Sequence, residues 1–120
     1  MKIYMSRGSV AAGDDVTAPN CGSLSVAEGT DLREIVQVIA ASGYLPRIAG
    51  NQATWSVTSN VLVAVVAQQW IEPRMLVLDP MNFDELDQSD AVLRLHFNYH
   101  AQIDPEAAYR VFWGFRLNAI

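Results

Sequence analysis

TWSVTSNVLVAVVAQQ, residues 54–69, is the stretch on which the fold turns. Trp55 and Val57 alternate with Ser56 and Thr58, the period-two pattern of a half-buried strand. Ser59-Asn60 then offers a turn, and Val61 to Ala67 follows without one polar side chain. Seven residues are few for a helix, and four of them are β-branched valines, whose stiff χ1 disfavours helix and suits a strand covered on both faces. A hairpin is predicted, with its second strand in the middle of a sheet.

Working outward, Glu72-Pro73 turns the chain into MLVLD, 75–79, a strand that must end at Pro80 because proline has no N–H for a ladder. Residues 91–99 alternate again, Leu93, Leu95, Phe97 and Tyr99 against Arg94, His96 and Asn98. Towards the N-terminus, Lys2 to Ser6 suits a first strand and Leu24 to Val26 a short second one, with the turn-forming GDDVTAPNCGS, 13–23, between them. Thr30 or Asp31 caps a helix, Asp31 having Glu34 three positions on in a box-like arrangement; its apolar stripe is Leu32, Ile35, Val36 and Ile39 and it ends at Ser42, before Gly43. Asp104-Pro105-Glu106 starts a second helix, with Ala108, Val111, Phe112 and Phe115 as its buried stripe. The order β-β-α-β-β-β-β-α places four strands in succession on short turns, which forces mostly antiparallel pairing. The fold class is therefore α+β, a mostly antiparallel sheet with two helices packed on it, in one domain over residues 1–120.

Composition narrows the function classes. At 120 residues, half of them apolar and three of them Trp, folding buries roughly 65% of the unfolded surface, so no metal or disulfide staple is required. Cys21 stands alone, which excludes an internal disulfide and a thiol pair for zinc or redox exchange, and suits a reducing, cytoplasmic setting. No stretch approaches the 18 or so apolar residues of a membrane span. Eight basic residues against thirteen acidic ones give a net charge of −5, which repels nucleic acid and anionic lipid and favours a basic partner.

The acidic charge is concentrated in DPMNFDELDQSD, 79–90, with five carboxylates and no basic residue. Asp79, Asp84, Glu85, Asp87 and Asp90 form a surface suited to positive charge. They lack the ligand spacing and glycine of a calcium loop, and paired acids of this kind do not by themselves make a glycosidase. The segment is predicted as a loop with one helical turn. Trp70, at the end of the long apolar strand, is placed at the sheet edge as an aromatic anchor for the same partner, while Trp55 is assigned to the core.

Other motifs carry less. His96 and His100 fall on one polar strand face, yet four residues of strand separate their rings by roughly 13 Å, too far to share an ion. No serine or cysteine sits in a nucleophile motif beside them. SRGSVAAGDD, 6–15, lacks the Gly-Lys-Ser/Thr of a phosphate loop, and Asp14 and Asp15 would repel phosphate; Cys21 reads as part of a polar loop. No catalytic, metal-binding or cofactor-binding residue is assigned, and no enzyme activity is expected.

With its acidic segment, small size and lack of a catalytic constellation, the chain resembles the small immunity proteins of bacterial toxin systems, including contact-dependent growth inhibition. The resemblance is one of type across the whole chain and transfers no site residue. It implies a cytoplasmic protein that binds and neutralises one cognate toxin, often a nuclease with a basic cleft. Two other classes share the composition. One is a small-molecule-binding domain or small enzyme with a pocket between sheet and helices near His96 or His100; the other is a structural or adaptor module that self-associates through a sheet edge. The oligomeric state has no signature in the sequence.

Overall fold

The computed structural model describes residues 1–8, 21–46, 48 and 50–118. The strands are β1 (Lys2–Arg7), β2 (Cys21–Ser25), β3 (Thr54–Ser59), β4 (Val61–Ala67), β5 (Arg74–Met75), β6 (Gln88–Ser89) and β7 (Val92–Tyr99), and the helices are α1 (Leu32–Ala41) and α2 (Pro105–Asn118). They form one α+β layer structure around a single mixed sheet in the order β2-β1-β7-β3-β4-β5, with β6 against β7. Among the described residues every pairing is antiparallel except that of β1 with β7.

The predicted hairpin is present, and its details explain its pattern. Asn60 alone joins β3 to β4 at φ 63°, a left-handed position that asparagine tolerates. Val57 pairs with Ala64 but Thr58 with Leu62, so Val63 is the extra residue of a bulge. The bulge switches faces within β4. Val63, Ala64, Val65 and Val66 are consequently all buried, as an unbroken apolar run requires. β4 is nevertheless not the middle of the sheet: only the two-residue β5 lies beyond it, and the centre is β7, enclosed by β1 and β3.

The core lies between α1 and one sheet face. Ile3 and Met5 of β1, Trp55 and Val57 of β3, and Leu93, Leu95 and Phe97 of β7 meet Leu32, Ile35, Val36 and Ile39 of α1. The Asp31 side chain accepts the Glu34 N–H at 2.7 Å, fixing where α1 begins. At its other end Gly43 takes φ 84°, the left-handed turn for which glycine is suited.

Several expectations are corrected. The second strand begins earlier than Leu24, so Cys21 opens β2 rather than lying in a loop. The strand expected over 75–79 is only Arg74–Met75, although the Leu76 N–H still reaches the Val63 carbonyl at 2.7 Å. The acidic segment contains no helical turn; it is a series of turns ending in β6. Asp14 and Asp15 lie outside the described residues.

The second helix also packs differently. Asp104 caps it as expected, accepting the Glu106 N–H at 3.1 Å, but Val111 and Phe115 are 56% and 62% exposed. Ala108 and Phe112 of the expected stripe do face the sheet, and Tyr109 joins them in place of Val111 and Phe115. The physical reason lies at β5, where the Tyr109 hydroxyl donates to the Met75 carbonyl at 3.2 Å and Arg74 pairs with Glu106 at 2.6 Å. These two contacts hold the Tyr109 side of the helix against β5 and leave Val111 and Phe115 outside.

Candidate functional site

The acidic segment is held by its own apolar residues. Leu86 is buried and Phe83 packs against the core cluster, so DELD is pinned by one side chain while Asp84 and Glu85 stay exposed and Asp87 partly so. The backbone is fixed at both sides of this pin. Asp87 N–H donates to Ser59 Oγ at 2.8 Å, and the Asp87 carbonyl accepts from Arg94 N–H at 2.8 Å. Upstream, Asp79 Oδ1 accepts the Met81 N–H and Asn82 Oδ1 the Asp84 N–H, each at 3.0 Å. Downstream, Asp90 and Ala91 both take positive φ, 54° and 62°, the geometry of a tight hairpin turn between β6 and β7.

Asp79, Asp84, Glu85, Asp87 and Asp90 thus stand on one ordered stretch, with little neutralisation. Asp87 lies 3.8 Å from Arg94; the other four enter no ion pair among the described residues. Trp70 sits elsewhere. It is half-buried, and Arg74 lies over its ring at 4.3 Å from the centroid, so its face is occupied by an internal cation. Trp55 is fully buried against Tyr99.

The connection from β4 to β6 also carries three residues whose role is not apparent in the sequence. Ile71, Leu78 and Met81 are 92%, 74% and 55% exposed. Apolar residues next to a strand pattern read as core, and only their neighbours Glu72, Asp79 and Pro80 hint that the chain has left the ladder.

The opposite sheet face holds the two histidines. His96 Nδ1 and Ser6 Oγ are 2.7 Å apart, and His100 Nε2 and Ser56 Oγ are likewise 2.7 Å apart. Ser6 pairs in register with both Cys21 and His96, and His96 with Thr58, which gives one row across four strands. Nucleophile and base are within reach in both pairs. Each serine, however, lies in mid-strand between two paired neighbours, where the backbone N–H groups serve the ladder and supply no oxyanion hole. Among the described residues no cluster of three or more His, Cys, Asp or Glu could hold a metal ion, and no helix is long and apolar enough to cross a membrane.

Burial shifts two titrations. The Tyr44 hydroxyl is pushed up to about 12, mainly by desolvation. His100, whose ring lies 5.4 Å from that of Phe112, is held below its ordinary value of 6.5 by burial. The folded chain therefore binds fewer protons at His100 than the unfolded chain, so this group's contribution is fully present above about pH 6.5 and is lost as pH falls below it. Urea midpoints between pH 5 and 7.5 should decline on the acid side, and His100→Gln should flatten that decline. Equal slopes for the two proteins would mean that the imidazole is solvated in the fold.

Comparison with known proteins gave no match: no family model fits the chain, and no characterised protein or solved structure is significantly similar to it.

Proposed function

We propose that the chain is a non-enzymatic binding protein that engages a basic protein partner through Asp79, Asp84, Glu85, Asp87 and Asp90. In the finer reading, prompted by the resemblance to immunity proteins, that partner is a toxin domain with a cationic, nuclease-like cleft, neutralised in the cytoplasm. The observation that carries the proposal is the ordered, outward display of carboxylates that are not neutralised from within the chain: four enter no ion pair among the described residues, and the fifth has only a long one.

The physical logic is twofold. Concentrated like charge on a fixed scaffold steers an oppositely charged partner into encounter, and close charge pairs then contribute coupling on the order of several kcal/mol. A fixed scaffold also lowers the ordering entropy lost on binding, and here Leu86, the Ser59 hydroxyl and the β6–β7 turn supply it.

The test uses the protein as bait beside its variant D84N/E85Q/D87N/D90N in cell lysate, followed by salt titration and mass spectrometry. A single basic protein is expected on the wild type at low salt, released as salt rises, with affinity for the variant lower by about tenfold or more. Equal retention by both baits would overturn the reading.

A further inference from the structure

Three of the exposed apolar side chains, Ile71, Leu78 and Met81, lie on one connection. Gln37 Nε2 donates to the Ile71 carbonyl at 3.1 Å, Arg33 pairs with Glu72 at 2.5 Å, and the Leu32 N–H donates to the Pro80 carbonyl at 2.8 Å. Residues 71, 72 and 80 are therefore strung along one side of the first two turns of α1, and Leu78 and Met81 flank the last of these contacts. Isolated exposed apolar residues are ordinary on a protein surface, but three large ones carried on one connection, itself tied to α1 at three points, offer an apolar ridge of the kind that partners cover.

Charge restricts what covers it. Between Ile71 and Asp90 there are six carboxylates, Glu72 included, and one basic residue, Arg74, which is committed to Glu106 and to the Trp70 ring. An anionic membrane would be repelled, and a second copy would bring the same carboxylates against themselves in a chain already at −5.

We infer that the partner approaches with a basic amphipathic segment, its apolar side seated on Ile71, Leu78 and Met81 along α1 and its Lys or Arg side chains facing Asp79, Asp84 and Glu85. This rests on the acidic-surface reading and adds to it a salt-resistant, apolar component. Binding then combines an apolar contact with a charged rim.

Three probes separate the two ideas: a labelled synthetic peptide of repeating Leu-Lys-Lys-Leu pattern, amphipathic as a helix; its scrambled isomer with no apolar side; and oligolysine. Binding of each is measured by fluorescence anisotropy across a salt series against wild type, I71S/L78S/M81S and D79N/D84N/E85Q. The wild type is expected to favour the amphipathic peptide over its isomer by about tenfold or more, from partial burial of three aliphatic side chains. The serine variant should lose that preference with its salt slope unchanged, and the amide variant should show a shallower slope. Equal binding of all three probes to the wild type would overturn the apolar ridge and leave the acidic surface standing. Binding of none at low salt would sink the acidic surface itself. A dimer seen by analytical ultracentrifugation and abolished in I71S/L78S/M81S would assign the ridge to a second copy and overturn the inference.

Discussion

Trp55→Ala is expected to destabilise the protein by about 3–5 kcal/mol, the range for removing a large aromatic side chain from a core. Trp55 is fully buried, pairs in register with Tyr99 on one side and Val66 on the other, and packs its ring 4.9 Å from that of Tyr99. It therefore joins β7, at the centre of the sheet, to β4. Truncation would leave a void lined on both sides by strands that are held in register and cannot collapse into it. Against a typical stability of about 5–15 kcal/mol, the loss is about a fifth of the total or more. Urea unfolding followed by far-UV circular dichroism reads it without relying on tryptophan emission, and Trp55→Phe, which keeps much of the volume, should cost about half as much or less. A loss below about 1 kcal/mol for the alanine variant would be incompatible with a packed indole.

Arg74→Ala should be the next largest, at about 1.5–2 kcal/mol, more than an exposed charge ordinarily contributes. Arg74 lies 4.3 Å from the Trp70 ring centroid and 5.8 Å from that of Tyr109, while Tyr109 in turn stacks on Trp113 at 6.2 Å. Its guanidinium also meets Glu106, in the first turn of α2, at 2.6 Å. One side chain thus ties the turn after β4 and strand β5 to the second helix. The exposed ion pair alone is worth little, so Glu106→Gln should cost no more than about 1 kcal/mol. The planar stacking is what lysine lacks, so Arg74→Lys should behave more like Arg74→Ala than like wild type. A lysine variant as stable as wild type would show that charge, not stacking, holds α2. Tryptophan emission should move to longer wavelength in the alanine variant as Trp70 loses its cover.

Local structure was legible wherever one short stretch contained its own cause. Asp31 before an apolar stripe at helical spacing gave the start of α1, and Gly43 its end. Alternation over 91–99 identified β7 and which of its side chains are buried. The acidic segment was legible as a charged surface but not as a rigid one: Phe83 and Leu86, three residues apart within it, were the available sign that it is pinned to the core. The α2 stripe misled because that helix carries apolar and aromatic residues around most of its circumference, so several faces satisfied the same pattern.

By itself the sequence determined an α+β fold, the starts of both helices and the end of the first, the membership of most of the core, and a strongly acidic stretch between two strands, because propensity, capping and periodicity act over a few residues. Tertiary structure alone decided that β7 lies at the centre, parallel to β1, since backbone ladder bonds carry no residue-specific address. It also chose the face of α2, through Arg74 and Tyr109, and left Ile71, Leu78 and Met81 outside. Whether an apolar side chain is covered depends on what the rest of the chain places over it, which no local pattern records.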